Sequence, residues 1–179
     1  ILDVAQGYLD YLLGQEAQAT SFGSSSTARD VATKYHSSIR GRSFMVTGAT
    51  SGMGREVAFV LASHGAVVIL LSRNAEKLQV TQGQLQRAHP EAEVHTITCD
   101  LSSLAAVQAA IAAYKALNLT QGLHALIYNA GIAFTWRELA PDPEHNWHKH
   151  KVESQFATNY LGHFALTGLL FDQLKKKPR

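Results

Sequence analysis

The 179-residue sequence predicts an α/β fold built on a parallel sheet. From residue 42 onward, short apolar runs of strand length alternate with segments of helical periodicity, which is the pattern of strands joined by right-handed helical crossovers. A glycine-rich turn joins the first run to the first helix, with the sequence Thr47-Gly48-Ala49-Thr50-Ser51-Gly52-Met53-Gly54. We therefore expect a Rossmann-type doubly wound sheet that is incomplete at its C-terminal side.

The first 40 residues predict a helical extension and a Ser/Gly-rich linker before the domain formed by residues 41–179. The apolar residues of Ile1–Leu13 recur at helical spacing and describe a short amphipathic helix. Its apolar stripe packs either on its own domain or against a partner protein or membrane surface. Residues Gln18–Thr27 read as a flexible connection, and Ala28–Ser38 as a second short helix.

The domain itself is predicted to contain four strands and four helices. The strands are Phe44–Thr47, Ala66–Leu71, Val94–Cys99 and His124–Tyr128. The first helix is Met53–His64, with Gly65 as its stop, and the second is capped by Asn74 and ends near Ala88. The third is capped by Ser102 or Ser103, and its inner face carries Leu104, Val107, Ile111 and Tyr114. The last helix is Val152–Lys175.

Composition excludes several classes of protein. The sequence is 46% hydrophobic and 17% charged, the profile of a globular domain, and its formal charge of +2 is too small for a nucleic-acid footprint. Its only cysteine, Cys99, fits a reducing intracellular compartment, cytoplasmic or organellar, and excludes a disulfide framework. No apolar run reaches the roughly 18 residues that a transmembrane helix needs.

The glycine turn predicts a phosphate site. Glycines let the main chain turn tightly and approach a pyrophosphate, and the following helix start offers unpaired N–H groups and a positive dipole end. The spacing Gly-x-x-x-Gly-x-Gly departs from the usual Gly-x-Gly-x-x-Gly fingerprint, so the turn alone is weak evidence for a dinucleotide site.

Four segments in one order supply the context. They are Thr47–Gly54, Arg73-Asn74 after the second strand, Asp100-Leu101 after the third, and Asn129-Ala130-Gly131 after the fourth. This ordered set resembles the short-chain dehydrogenase/reductase family over Arg42–Arg179. The segment Ser154–Phe164 is similar to the retinol-dehydrogenase-like and WW-domain-oxidoreductase-like branches, and Gly131–Leu139 more faintly resembles the dehydrogenase/reductase member 12 branch.

The resemblance implies a dinucleotide site made from several strand ends. Asn129-Ala130-Gly131 match the family's Asn-Asn-Ala-Gly turn, with Tyr128 in place of the first Asn. The resemblance assigns the pyrophosphate and ribose to Gly48, Ser51, Gly52, Met53 and Gly54, and the adenine to Asp100 and Leu101. Asp100 has an alternative use as the cap of the next helix.

The second strand end predicts NADP(H) in preference to NAD(H). An acidic residue at this point binds the ribose 2′-OH of NAD, whereas a basic residue accommodates the 2′-phosphate of NADP. Here Arg73 and Asn74 occupy the position, with no carboxylate before Glu76. The alternative is that Arg73 is only a surface charge at a helix start.

The catalytic set that the resemblance implies is mostly missing. The family's reaction needs a serine, a tyrosine and a lysine four residues after that tyrosine, and this sequence contains no Tyr-x-x-x-Lys. Asn159 matches the helix asparagine that opens the backbone to hold a water, with a buried polar residue bonded to the backbone as the alternative. Since the chain starts at Ile1 rather than Met, we expect a processed or partial protein that stops before the catalytic Ser and Tyr-x-x-x-Lys.

Two functions remain open from the sequence. In the first, the complete protein transfers hydride between NADP(H) and an alcohol or carbonyl substrate. In the second, the chain is a catalytically silent dinucleotide-binding or structural subunit, which meets a protein partner or a second copy through residues 1–13 or an exposed sheet edge.

Three groups of histidine or aromatic residues point less specifically to a function. His145, His148 and His150 lie in one loop without a cysteine or a His-Glu-x-x-His frame, so we expect no metal. Trp136 and Trp147 bracket this loop and indicate either a substrate or partner surface or core anchoring. The stripe of Phe156, Tyr160 and Phe164 is expected in the core.

Overall fold

The computed structural model describes residues 22–133 and 152–175. Its first part contains α1 (Ala28–Lys34), a 3-10 turn (His36–Ser38), β1 (Ser43–Thr47), α2 (Gly52–Ser63), β2 (Val67–Ser72), α3 (Ala75–Ala88), β3 (Val94–Thr98), α4 (Leu104–Ala116) and β4 (Ala125–Ile127). Its second part is helical from Ser154 onward, with α5 (Ser154–Phe156), a π-helical segment (Ala157–Leu161) and α6 (Gly162–Lys175).

The four strands form one parallel sheet in the order β3-β2-β1-β4. Thr47 at the end of β1 lies opposite Leu71 of β2, and Val46 lies opposite Ile127 of β4. The parallel arrangement and the strand order confirm the predicted α/β class, and no strand end differs from the predicted one by more than one residue.

Helices cover both faces of the sheet, so the fold is doubly wound. Alternate residues of the two central strands point to opposite faces. On one face, β1 and β2 pack on α2 and α3, through Val46, Val68, Leu70, Leu61, Leu78 and Leu85. On the other face, they pack on α4 and α6, through Met45, Ile69, Leu71, Val107, Ile111, Leu166 and Leu170.

Side chains cap α3 and α4 as predicted. Asn74 Oδ1 accepts a hydrogen bond from Lys77 N at 2.8 Å, and Ser103 Oγ accepts one from Ala106 N at 3.3 Å. Gly65, with φ +76°, follows the end of α2 in the left-handed conformation that favours glycine. These local signals fixed the ends of three helices.

The last helix differs from its prediction in two ways. It begins at Ser154, where the Glu153 carboxylate accepts from the N–H groups of Gln155 and Phe156, two bonds that lower the pKa of Glu153. It also contains the π-helical segment Ala157–Leu161, in which one extra residue is accommodated. Periodicity alone predicted an unbroken helix because it does not report a single-turn change of pitch.

The expectation that Phe156, Tyr160 and Phe164 lie in the core is wrong. Their exposed fractions are 52%, 57% and 69%, and their rings stack with centroids 5.3 and 6.4 Å apart. Spacing of four residues identifies one face of a helix, but it does not say whether that face meets the sheet. Here the face that meets the sheet carries Leu166 and Leu170 instead.

Several predicted features lie outside the described residues. They are the stripe of Ile1–Leu13, the loop with Trp136, His145, Trp147, His148 and His150, and the last four residues. Within residues 22–133 and 152–175, no helix is long and apolar enough to cross a membrane, and no group of three or more His, Cys, Asp or Glu is arranged to hold a metal ion.

Helix α6 approaches the end of β3 closely at Gly162. A Cβ added there would lie 2.8 Å from Leu101 Cβ and would also collide with the Leu101 carbonyl oxygen. Gly168, in the same helix, has no atom within 4 Å of its own added Cβ. The two glycines therefore form a matched pair with opposite steric surroundings.

We predict that Gly162→Ala lowers the free energy of unfolding by about 2 kcal/mol, since backbone or helix must shift to admit the methyl group. Gly168→Ala should raise it by about 0.5–1 kcal/mol, because alanine favours a helix without any collision. Urea denaturation of both variants measures the difference. Equal stability of the two variants would contradict the close packing at Gly162.

Candidate functional site

The carboxyl ends of all four strands meet at one edge of the sheet, where they surround an open cleft of about 290 Å³. Parallel strands bring the residues that follow them to the same edge, so residues far apart in sequence become neighbours. The lining residues are Gly48, Thr50, Ser51, Leu71, Ser72, Arg73, Asn74, Lys77, Cys99, Asp100, Leu101, Asn129, Ala130, Gly131, Ile132 and Thr158.

Most of the residues predicted for the dinucleotide lie on this cleft. Gly52, Met53 and Gly54 are not among its lining residues, although Gly52 and Met53 directly follow Ser51 at the start of α2. Met53 is 81% exposed, so its side chain lies on the surface beside the cleft. The lining residues that the sequence did not predict for the site are Thr50, Leu71, Ser72, Lys77, Cys99, Ile132 and Thr158.

The glycines of the turn have different roles. Gly48 and Gly52 have φ of +66° and +52°, which side-chain-bearing residues rarely adopt. An added Cβ at Gly48 would lie 2.9 Å from Ala130 Cα, and one at Gly54 would lie 2.7 Å from Gly48 O and collide with the Asn129 amide. Gly48 and Gly54 thus make room for the turn after β4, while Gly52 meets no protein atom within 4 Å.

The amino end of α2 is left without a side-chain cap. Its N-cap residue is Ser51, whose side chain makes no hydrogen bond to the helix. By contrast, Asn74 and Ser103 cap the two following helices. The first N–H groups of a helix carry a partial positive charge and bind anions readily when no side chain occupies them. This end of α2, beside the cleft, can therefore receive an anionic group.

The turn after β4 is fixed to the end of β1 by hydrogen bonds. Asn129 Nδ2 donates to the carbonyl oxygens of Thr47 and Gly48 at 3.0 and 3.3 Å. The Thr47 hydroxyl accepts from the backbone N–H groups of Asn129 and Ala130, both at 3.0 Å. The Asn129 amide is therefore engaged with the protein's own backbone beneath the cleft.

Tyr128 bonds to the last helix. Its ring lies against the ring of His163, with centroids 4.9 Å apart, and its hydroxyl forms a hydrogen bond with Thr167 Oγ1. The substitution of Tyr for the expected Asn leaves the turn after β4 in place, since Asn129 and Ala130 keep their bonds to Thr47.

Asn159 lies within the π-helical segment, and its side chain forms two hydrogen bonds with the backbone of Ile132, next to the turn after β4. Its Oδ1 accepts from Ile132 N and its Nδ2 donates to Ile132 O, both at 2.9 Å. The side chain is thus bonded to the backbone, as in the alternative reading, although the residue is exposed rather than buried.

The charged residues around the cleft are separated by sign. Arg73 and Lys77 follow β2, whereas Glu76 between them does not line the cleft. At the end of β3, Asp100 Oδ1 accepts from the N–H of Ser102 at 2.9 Å and from its hydroxyl at 2.7 Å. Asp100 therefore fixes a turn and does not cap α4, because Ser103 holds that position.

Comparison with known proteins now identifies the fold family. The family model described as short chain dehydrogenase matches residues 42–179. The chain belongs to the short-chain dehydrogenase family. Members of this oxidoreductase family bind a nicotinamide dinucleotide.

Curated relatives agree with the family and with its retinol-dehydrogenase-like branch. The chain is 39% identical over 165 residues to short-chain dehydrogenase TIC 32 A, chloroplastic, of Brassica napus. This match covers 92% of this chain and 48% of the relative. It is 31% identical over 169 residues to human retinol dehydrogenase 13, with coverage of 92% and 48%. The chain thus spans about half the length of these relatives.

Solved structures share the fold. A metagenomic short-chain oxidoreductase in complex with NADP is 28% identical, with a TM-score of 0.61 over 76% of this chain and 58% of that one. L-sorbose reductase from Gluconobacter frateurii, complexed with NADPH and L-sorbose, has a TM-score of 0.60 at 22% identity over 76% of this chain and 48% of its own. At that identity, the second match shows the fold alone.

Within this short-chain dehydrogenase domain, Cys99 is chemically protected. It is 2% exposed at the end of β3, and burial, followed by the negative charge of Asp100, raises the pKa of its thiol to about 12. The thiolate is the reactive form of cysteine, so a raised pKa suppresses reaction with electrophiles.

We predict that iodoacetamide at pH 8 labels Cys99 far more slowly in the folded protein than in denaturant, where thiols ionise near pH 8.5. Because folding disfavours the thiolate, the stability that the neutral thiol contributes is present below pH 8.5 and is lost as the pH rises towards 12. Peptide mapping by mass spectrometry measures the labelling. Equal rates in both states would show that the thiol is accessible and ionised in the fold.

Proposed function

We propose that this domain binds NADP(H) and is the cofactor-binding part, residues 41–179, of an oxidoreductase that transfers hydride between the nicotinamide and an alcohol or carbonyl substrate. One observation carries the proposal. The uncapped start of α2 and the two cations after β2 face one cleft at the carboxyl edge of the sheet.

The glycine turn supports placement of the pyrophosphate. Gly48, Ser51, Gly52, Met53 and Gly54 surround the start of α2. At Gly52 the main chain is free of neighbouring protein atoms within 4 Å of an added Cβ, so a phosphate can approach it closely. The ligand's negative charge would then occupy the N–H groups that no side chain caps.

The cations after β2 support NADP(H) in preference to NAD(H). Arg73 and Lys77 line the cleft with Asn74, and Ser72 Oγ lies 3.3 Å from Thr50 Oγ1 beside them. A guanidinium and an ammonium group neutralise a 2′-phosphate. The lining residues after β2 include no carboxylate that could accept a hydrogen bond from a ribose 2′-OH. The 28% identical neighbour in complex with NADP points the same way.

The remaining strand ends complete the proposed cofactor site. We assign the adenine to the polar edge of Asp100 and the apolar Leu101, which follow β3. We assign the nicotinamide end of the cofactor to the turn of Asn129, Ala130 and Gly131, which follows β4 and lines the cleft. Asn159, which holds Ile132, is the one member of the proposed catalytic set in this sequence.

A catalytically silent role is the second candidate. The 179 residues contain no Tyr-x-x-x-Lys, and β4 has a strand partner on only one side among the described residues. That free edge and residues 1–13 are the surfaces we propose for contact with a protein partner, a second copy or further chain. The chloroplastic relative favours an organelle over the cytoplasm as the compartment.

We predict that Arg73→Ala and Lys77→Ala each weaken NADPH binding by roughly tenfold, because each removes a charge-assisted bond to the 2′-phosphate. NADH binding should change by less than about twofold, since NADH lacks that phosphate. Dissociation constants from NADPH and NADH fluorescence measure both effects.

Arg87→Ala is the matched control. Arg87 lies in the last turn of α3, where its Nε donates to Gly83 O at 3.1 Å, and it does not line the cleft. It should leave both affinities unchanged. Tighter binding of NADH than of NADPH by the unmodified protein would refute the assignment of the cofactor.

A second prediction separates the two candidate functions. The 179 residues alone should bind NADPH without oxidising it in the presence of aldehydes or ketones, because they lack the tyrosine–lysine pair. The full-length protein should oxidise NADPH with at least one carbonyl in such a panel, followed by absorbance. Binding without turnover by the full-length protein would favour the silent subunit.

A further inference from the structure

His163 connects the end of β1 to the π-helical segment. It lies in the first turn of α6 and is 7% exposed. Its Nε2 is 2.9 Å from Thr47 Oγ1, and its Nδ1 is 3.0 Å from the carbonyl oxygen of Asn159. One buried imidazole thus connects Thr47, which lies 116 positions earlier in the sequence, to the π-helical segment that carries Asn159.

The Thr47 hydroxyl determines which nitrogen of His163 accepts. A hydroxyl has one proton to donate and two lone pairs to accept. Both lone pairs of Thr47 Oγ1 are occupied by the N–H groups of Asn129 and Ala130. The hydroxyl must therefore donate, and its acceptors are His163 Nε2 at 2.9 Å and Ile127 O at 3.3 Å.

The Asn159 carbonyl determines the other nitrogen. A carbonyl oxygen only accepts, so His163 Nδ1 must carry a proton to bond with it at 3.0 Å. The opposite tautomer would place the lone pair of Nδ1 against the carbonyl oxygen and would direct a third donor at the Thr47 hydroxyl. An imidazolium would also direct that third donor at Thr47. Only the neutral Nδ1–H form satisfies every partner.

We propose that His163, as the neutral Nδ1–H tautomer, is a positioning residue that couples the turn after β4, which lines the cleft, to the π-helical segment. Through Nε2 it orients the Thr47 hydroxyl whose lone pairs hold Asn129 and Ala130. Through Nδ1 it binds the Asn159 carbonyl, while the Asn159 side chain holds Ile132. The turn after β4 is thereby held by hydrogen bonds from both Thr47 and Asn159.

Two neighbours keep the imidazole in place. The ring of Tyr128 packs on it with centroids 4.9 Å apart. Thr167 Oγ1 donates to His163 O at 2.7 Å and also bonds with the Tyr128 hydroxyl. These contacts restrict both the ring and the backbone of His163, so the tautomer is set by fixed geometry rather than by ring rotation.

Nitrogen NMR tests the tautomer directly. In the full-length protein labelled with ¹⁵N at histidine, we expect His163 at neutral pH to show a protonated Nδ1 and an unprotonated Nε2. His163→Phe assigns the signals, because they disappear in that variant. A protonated Nε2, alone or together with a protonated Nδ1, would overturn the proposal, and this measurement requires no cofactor.

Coupling to the cleft is tested by NADPH affinity and rests on the proposed function. His163→Phe keeps a ring but loses both hydrogen bonds, and it should weaken NADPH binding about tenfold at temperatures where the variant remains folded by circular dichroism. In a Thr47→Val background, where the hydroxyl is already absent, the same substitution should have less than about half that effect on a logarithmic scale. Additive effects would show that the two residues act independently.

A matched histidine provides the control. His95 lies on β3, bonds to Glu93 Oε1 at 2.9 Å and does not line the cleft, so His95→Phe should leave NADPH affinity unchanged. If His163→Phe only lowers the melting temperature and leaves NADPH affinity unchanged, His163 is structural and the proposal fails. If the unmodified protein does not bind NADPH, the cofactor proposal fails, and the tautomer measurement still decides the role of His163.

Discussion

The Thr47 hydroxyl is the contact on which the geometry of the cleft depends. The two backbone N–H groups that follow β4, on Asn129 and Ala130, are partly buried and need acceptors, because an unpaired donor shielded from water costs up to about 1–3 kcal/mol. One oxygen satisfies both, at 3.0 Å each. Since Thr47 ends β1 and immediately precedes the glycine turn, this contact sets the separation between the glycine turn and the turn after β4, both of which line the cleft.

Glycines make that separation possible. The Asn129 amide fits between the glycine turn and the start of α2 only because Gly48 and Gly54 have no Cβ there. These two glycines therefore serve contacts within the protein, whereas a Cβ added at Gly52 would meet no protein atom within 4 Å. Part of the irregular spacing of the motif thus has a physical cause inside the fold, the close approach of the turn after β4 to Gly48 and Gly54.

Sequence reasoning predicted the elements whose signals are local. The periodicities gave the alternation of strands and helices, and Asn74, Ser103 and Gly65 marked helix ends through contacts within four residues. Periodicity could not find His163, whose partner Thr47 is 116 residues away, nor the π-helical segment that adjoins this contact, although the resemblance did point to an opened helix backbone at Asn159. The sequence did have a usable signal for Lys77, because this residue lies in the first turn of the helix that Asn74 caps, three positions after that cap.

The start of α2, beside the cleft, differs from the starts of α3 and α4 because no side chain caps it. Asn74 and Ser103 each satisfy an N–H group at the start of their helices, and such a cap contributes about 1 kcal/mol to stability. Ser51 has the same kind of hydroxyl in the same N-cap position, with extended backbone at φ −157° and ψ 165°, yet it makes no such bond. Because a residue suited to capping is present, the uncapped end of α2 is not explained by residue type. A bound phosphate would supply the missing acceptors, so the unsatisfied start of α2 and the proposed affinity for a dinucleotide have the same physical origin.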